Sequence, residues 1–425
     1  PCVDILFNWR NTIVNTRAYG TNADDVIKYT RAYVDGYRAG ANGGMVTCIK
    51  HYPGDGTEER DQHLVLGVNE LSPEEWDASF GRVYQHHIDN GVEMFMAGHI
   101  ALPYYQKKLN PALEDKDILP ATLAEELIQG LLKEKLGFNG MVITDASHML
   151  GMRSAMRRED YVPGAIAAGC DMFLFFNNID EDFNFMLNGY KKGVITEERM
   201  NDAVRRVLGL KAKLDLHQKQ TAGTLLKTEQ ELEVVGCPEH LAMRAEAADK
   251  GITLVKNTLN QLPIRPETHK RIRLYHLTGE KGGIQAASKS LDTFVEELTK
   301  RGFEVTVNDG ASRVIGSTLE YRKTVDAALI VADIVGYGAQ NNYRIQWKTA
   351  MSNECPWYVW EVPTVMVSLN YTTHLHDATM VKCYINAYHS NEEIIKQVID
   401  KIMGESEFKG KPNDLVWADK WQAKL

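Results

Sequence analysis

The chain has 425 residues, of which 44% are hydrophobic and 25% charged, and carries a formal net charge of −9. That length accommodates two or three domains, and the composition is that of a folded globular protein. The acidic balance argues against non-specific nucleic-acid or membrane-surface binding, and no apolar run reaches the roughly 18–20 residues of a membrane span.

The chain opens on Pro1, with no basic and apolar leader behind it. Residues 2–6, Cys-Val-Asp-Ile-Leu, read as a buried strand already under way. Further strands are expected at 45–50, 92–97, 141–145 and 171–175. Between them the pattern predicts helices at about 23–40, 73–90, 122–135, 157–168 and 179–193. Short apolar strands alternating with helices make βαβ units and a parallel sheet. A helix at about 197–213 follows, capped by Thr196 with Glu197 and Glu198 in its first turn.

Residues 217–237 are polar and aperiodic and read as a linker between a domain at 1–216 and another at 238–425. The second half starts with a helix at about 238–250. Strands are then expected at 252–256, 272–276, Glu304–Val307, 328–331, Thr364–Ser368 and 382–386, a second α/β unit. The stretch 279–283, Gly-Glu-Lys-Gly-Gly, mimics a phosphate loop weakly and reads as a surface turn. The six cysteines, at 2, 48, 170, 237, 355 and 383, form no C-x-x-C pair and read mostly as small buried apolar residues. No metal or cofactor is expected. A metal centre of His51, His63 and His99 has no ligand spacing behind it.

Polar residues gather at the ends of the first-half strands: Lys50 and His51, Gly98 and His99, and Asp145. Such placement belongs to a β/α barrel or a doubly wound sheet. The densest segment is 50–63, Lys-His-Tyr-Pro-Gly-Asp-Gly-Thr-Glu-Glu-Arg-Asp-Gln-His. In an extended loop Asp61 and His63, on either side of Gln62, point the same way. A carboxylate beside an imidazole fixes its tautomer and raises its basicity, which makes a proton shuttle. Taken alone, the loop could equally be exposed polar surface, and Asp145 could be a helix cap, a nucleophile or a metal ligand.

The segment 50–63 resembles the Lys-His-Phe-Pro-Gly-His-Gly…Asp-Ser-His stretch of glycoside hydrolase family 3, in its bacterial β-N-acetylglucosaminidase branch. Spacing agrees throughout, with Tyr52 for Phe, Asp55 for the second His and Gln62 for Ser. Residues 11–20, 96–100, 120–145, 167–173, 195–216 and 251–257 are similar to further family segments in the same order. The resemblance implies a (β/α)8 TIM-type barrel followed by an α/β sandwich domain, and a small carbohydrate as substrate. It implies Asp145 as nucleophile, His63 as acid/base paired with Asp61, and Arg17, Lys50, His51, Met96 and His99 as sugar-binding residues. The reaction implied is retaining hydrolysis of terminal β-linked N-acetylglucosamine through a covalent glycosyl-enzyme. The His63 loop is expected to move. Where the family has Asp-Asp-Leu-Ser-Met, this chain has Asp145-Ala146-Ser147-His148-Met149, and His148 is expected to cap or pack.

By the resemblance the strand at 2–6 is the fourth of eight. Three strands, one with a sugar-binding Asp, are therefore expected ahead of Pro1 or from another chain, with the barrel gap beside residues 2–6. A cytoplasmic location is favoured, although a signal peptide would fall within that expected segment. Two alternatives compete: a β-N-acetylglucosaminide or β-glucoside phosphorylase, because a neutral imidazole does not repel phosphate as a carboxylate would, and a catalytically inactive sugar-binding module.

Overall fold

The computed structural model describes residues 1–279, 288–309, 318–335, 343–348 and 354–425. Of the glycine-rich turn at 279–283, residues 280–283 lie outside them. The chain divides into two compact units, Pro1–Lys227 and Thr228–Leu425. Among the described residues no helix is long and apolar enough to cross a membrane.

In the first unit the strands are β1 (Cys48–Tyr52), β2 (Gly67–Val68), β3 (Met94–Ala97), β4 (Ile100–Ala101) and β5 (Met141–Thr144). β1, β3 and β5 lie side by side and parallel, in chain order. Single parallel bridges, Cys2 to Lys50 and Ile143 to Met172, extend this sheet at its two edges. Five parallel segments thus stand in the order that successive βα units give. The strands expected at 2–6 and 171–175 shrink to these bridges because side chains intercept the ladder. The Val3 amide still donates to the Lys50 carbonyl at 2.7 Å. Beyond it the Asp4 carboxylate takes the His51 and Asp55 amides at 3.2 and 2.9 Å. At the other edge the Asp171 carboxylate accepts from the Val142 amide at 2.8 Å, and the Leu174 amide goes to the Thr144 hydroxyl. No pairing joins the Met172 edge to the Cys2 edge among the described residues.

Alternation along the strands sorts their faces. Ile49, Phe95 and Val142 pack with Trp76, Phe80, Leu127 and Leu131 from the helices into the core. Cys48, Lys50, Met94 and Met96, on the opposite face, stay half-exposed. The helix Ala23–Ala41 is fixed at its start by the Asn22 side chain, which accepts the Asp25 amide, and at its end by Asn42 in the left-handed region. The single helix expected at 73–90 is Pro73–Trp76 with a Ser72/Glu75 capping box, a π turn at Asp77–Gly81, then Arg82–Asp89. That expected at 122–135 is a 3-10 turn, Ala121–Leu123, and a π helix, Glu126–Lys135. The helices expected at 157–168, 179–193 and 197–213 are Arg158–Ala167, Ile179–Lys191 and Glu197–Lys213.

The span read as a linker contains two short exposed helices, Leu216–Thr221 and Glu229–Leu232. The second unit is built on β6 (Thr253–Asn257), β7 (Arg271–Thr278), β8 (Glu304–Val307), β9 (Ala327–Asp333), β10 (Thr364–Ser368) and β11 (Cys383–Asn386). Their order is β6-β11-β10-β9-β7-β8, parallel except where β6 meets β11. Every residue of β9, β10 and β11 is buried, as both faces of the sheet are covered. Phe294, Leu298, Ile395 and Ile399 from the helices Ser290–Lys300 and Glu392–Met403 cover one face. Tyr275, Tyr358, Met366 and Tyr384 belong to a second core on the other. This is the second α/β unit that the strand pattern predicts.

Candidate active site

The chemistry-bearing residues of the first unit meet at the C-terminal ends of β1, β3 and β5. Lys50 and His51 lie within β1 rather than after it, because the strand starts three residues later than its apolar run predicts. Asp145 follows β5, its amide bonded to the Ala97 carbonyl at 2.8 Å. One carboxylate oxygen of Asp145 accepts from the Ala146 amide at 2.7 Å, and the side chain is 14% exposed. The other oxygen lies 3.8 Å from His51 Nε2.

His51 is oriented from behind. Its Nδ1 donates to Asp4 Oδ2 at 2.7 Å, which turns Nε2 toward Asp145. Asp4 is fully buried and also accepts the Cys2 thiol proton at 2.9 Å. Burial alone would raise the Asp4 carboxyl, but the charge and hydrogen bond of His51 hold it below its ordinary range. Asp55 is its counterpart: burial, then the neighbouring Asp4 charge, pushes its carboxyl up to about 7. Cys2, Asp4 and His51 offer three metal-ligand atoms within 4.8 Å of one another, and here Asp4 occupies both proton donors. Large side chains brace this segment from outside: the Tyr84 hydroxyl bonds the His51 carbonyl and the Trp76 indole the Pro53 carbonyl.

The Asp61–His63 pair forms as its spacing predicts. Asp61 Oδ1 accepts from both His63 Nδ1, at 2.6 Å, and the His63 amide, at 2.9 Å. Asp61 is wholly buried while the His63 ring is 37% exposed, so its Nε2 is the edge open to a ligand. The Asp61 hydrogen bond raises the His63 pKa against the opposing effect of burial, the Asp145 charge adds to it, and Arg17 subtracts. Asp145 and Arg17 therefore both lie within electrostatic reach of the imidazole. The loop expected to move is seated here. The His63 and Gln62 carbonyls accept from the Leu150 and Gly151 amides at 3.0 and 3.1 Å.

The residues expected to bind sugar divide in two. Lys50 is half-exposed on the open face of the sheet, and its ammonium has no hydrogen-bond or ion-pair partner among the described residues. Met96 lies on the same face, paired in register with Ile143. Arg17 is half-exposed at the end of a turn that the Asn11 side chain starts by accepting the Ile13 and Val14 amides. His99 is different. It is fully buried, its Nε2 lies 3.0 Å from the Ala146 carbonyl, and its Nδ1 lies 3.0 Å from the Thr122 hydroxyl. A carbonyl only accepts, so Nε2 carries the proton and Nδ1 accepts from Thr122. Burial lowers its pKa. Both ring nitrogens face protein groups, so His99 holds the turn that follows Asp145 rather than reaching a sugar. His148 is exposed, with its ring 6.0 Å from that of Phe175, and does not pack in the interior.

Asp4, Thr122 and the roles of Asp55 and Gln62 escape sequence reasoning. The one available signal for Asp4 is a lone carboxylate inside the apolar run Cys2-Val3-Asp4-Ile5-Leu6.

Comparisons with known proteins agree on one family. Residues 1–210 match the Glycosyl hydrolase family 3 N terminal domain. The chain is 40% identical over 430 residues to a "Beta-N-acetylglucosaminidase/beta-glucosidase" of Cellulomonas fimi, an alignment that covers all of this chain and 75% of that protein. The solved structure of "Beta-glucoside phosphorylase BglX" is similar with a TM-score of 0.92 and 37% identity, over 100% of this chain and 75% of that one. A family 3 β-N-acetylglucosaminidase from Paenibacillus sp. str. FPU-7 shares the fold, with a TM-score of 0.76 at 20% identity over 97% of this chain and 74% of that one. The chain belongs to glycosyl hydrolase family 3.

Proposed function

We infer that the protein is a retaining β-glycosidase for terminal β-linked N-acetylglucosamine, with Asp145 as nucleophile and His63 as acid/base. The observation that carries this reading is the commitment of His63 Nδ1 to buried Asp61 while its exposed edge shares the field of Asp145. In the first step an Asp145 oxygen attacks the anomeric carbon. The bond to the leaving oxygen breaks, and the His63 Nε2 proton goes to that oxygen. In the second step neutral His63 takes a proton from water as the water attacks C1, and the Asp145 ester bond breaks. Asp61 keeps the imidazole in the required tautomer and steadies its cation. Lys50 and Arg17 donate to sugar hydroxyls, His51 faces the nucleophile with its Nε2 edge, and Met96 packs beneath the ring.

Within this reading residues 1–216 are the catalytic domain, 217–237 the linker and 238–425 the sandwich domain. The five parallel segments are part of an eight-stranded barrel. Three more parallel strands would lie between the Met172 and Cys2 edges, which pair with no further strand among the described residues.

A second acceptor is favoured by one comparison, the similarity at 37% identity to a β-glucoside phosphorylase. Phosphate carries its own nucleophilic oxygen and needs no base, and a neutral His63 does not repel it. A panel of aryl β-glycosides, each with and without phosphate, separates the readings. Asp145→Ala should abolish turnover of all of them. His63→Ala should cost roughly 10²–10⁴-fold on poor leaving groups and far less on activated ones, which need no proton. Equal losses on both kinds would remove His63 from the acid role. Turnover that accelerates with phosphate and yields a sugar phosphate would replace water with phosphate as acceptor. A protein that binds these sugars and cleaves none would be the inactive module.

A further inference from the structure

Asp55 and Gln62 are two of the three positions at which the segment 50–63 departs from the family stretch it resembles, and they meet in the fold. Gln62 Nε2 lies 3.4 Å from Asp55 Oδ2, and both residues are buried. Each is the end of a chain of contacts that reaches the nucleophile. From Gln62, Oε1 accepts the His99 amide at 2.8 Å, and the His99 ring bonds the carbonyl of Ala146, next to Asp145. From Asp55, the amide donates to Asp4 Oδ1 at 2.9 Å, and Asp4 holds His51 against Asp145. Gln62 is also the residue between Asp61 and His63, so its side chain sets where the acid/base pair stands.

We propose that Asp55 and Gln62 form a matched clasp that seats the Asp61–His63 pair over the nucleophile, which makes both of them positioning residues for proton transfer. The proposal rests on the glycosidase reading of Asp145 and His63. The polarity of the clasp is fixed by its neighbours. The His99 N–H demands an acceptor, so Gln62 presents oxygen there and its NH₂ to Asp55. Asp55 Oδ1 is already taken by the Asn11 side chain, at 3.0 Å, and the Gly56 amide, at 2.6 Å, so Oδ2 is the oxygen left for Gln62. In Asp55→Asn an NH₂ would face the Gln62 NH₂. In Gln62→Glu, assayed at a pH well above the value of about 7 of the Asp55 carboxyl, a carboxylate would face a carboxylate. In the double variant both demands are met again: Asn Oδ1 accepts from Asn11 and Gly56, its NH₂ donates to Glu, and the other Glu oxygen accepts from His99.

The test is a double-mutant cycle on the full chain with two readouts. One is hydrogen exchange at the Leu64 and Val65 amides, which bond the Asp61 carbonyl. The other is the ratio of kcat/KM for β-glycosides with good and poor leaving groups. Each single variant should speed exchange roughly tenfold and lower the poor-leaving-group rate by a similar factor, with activated glycosides held within about twofold. The double variant should return both readouts to within about threefold of the parent. Unchanged exchange in the single variants, a double variant with the product of both losses, or uniform loss on every glycoside would overturn the clasp. If a single variant fails to fold, a folded double variant supports the clasp and an unfolded one overturns it. If the parent protein cleaves no β-glycoside, the glycosidase reading fails by itself, and the exchange data still decide the clasp.

Discussion

Asp61 reaches the His63 ring through one 2.6 Å contact, and that contact has a pH signature. In the proposed acid role His63 must be protonated, so its pKa would set the alkaline limb of kcat/KM. The Asp61 hydrogen bond raises that pKa. Asp61→Asn removes the charge that stabilises the cation, so the alkaline limb should move to lower pH while the acidic limb stays in place. An unmoved alkaline limb in the pH–rate profile would show that another group is the acid. The stability consequence has a definite sign. A histidine raised in the folded state contributes stability that is complete below its unfolded pKa and disappears as pH rises through the folded value. The stability lost in Asp61→Asn should therefore be largest on the acidic side and shrink toward high pH. The Asp61–His63 contact and the place of Asp145 at the end of a strand are legible in the sequence, because each sits in a contiguous motif. Asp4 is not, since its partner His51 lies 47 positions away and only the fold brings them together. His99 reads as a sugar ligand in the sequence for the same reason. Its residue type was visible, and the Thr122 and Ala146 contacts that occupy it were not.

At the level of elements, the loop after β1 depends on one backbone conformation. Gly56 has φ +104°, and a Cβ there would collide with the Ile5 carbonyl oxygen. Its own carbonyl accepts the Phe7 and Asn8 amides at 3.0 and 2.9 Å, so the loop and the first segment are stitched together beside Asp4. Gly56→Ala should destabilise the first unit by about 2 kcal/mol or more, through strain and displacement. A melting curve should drop by about 4–8 °C for a domain of this size. An unchanged melting temperature would mean that the loop adapts without strain. The strands of the second unit were legible as apolar runs because both faces of its central strands are buried. The edge segments of the first sheet were not, since their alternation is the same whether a ladder forms or side chains such as Asp4 and Asp171 take its amides. The π turns at Asp77–Gly81 and Glu126–Lys135 carry no composition signal that separates them from α-helix.

For the molecule as a whole, the first unit presents apolar surface on both sides of its open sheet. Beyond the Met172 edge, Phe183 and Leu208 are 66% and 56% exposed. Near the Cys2 edge, Tyr29 and Tyr33 of the helix Ala23–Ala41 are 48% and 46% exposed. Surfaces of this kind, beside sheet edges that pair with no further strand among the described residues, favour association. The 425-residue chain on its own should therefore bind an apolar dye and self-associate in sedimentation. A longer protein or partner that adds three parallel strands between these edges should be monodisperse and more active. A dye-silent, monomeric and fully active 425-residue chain would refute the eight-stranded reading.

In the proposed mechanism Asp145 forms a covalent bond to the sugar, and this step can be measured directly. Its most direct measurement is mass spectrometry of the active protein after reaction with an activated 5-fluoro-β-N-acetylglucosaminide, whose fluorine slows release of the glycosyl-enzyme. One added fluoroglycosyl group is expected on the peptide that contains Asp145, and none in Asp145→Ala. A label on another residue, or turnover that survives Asp145→Ala, would contradict it.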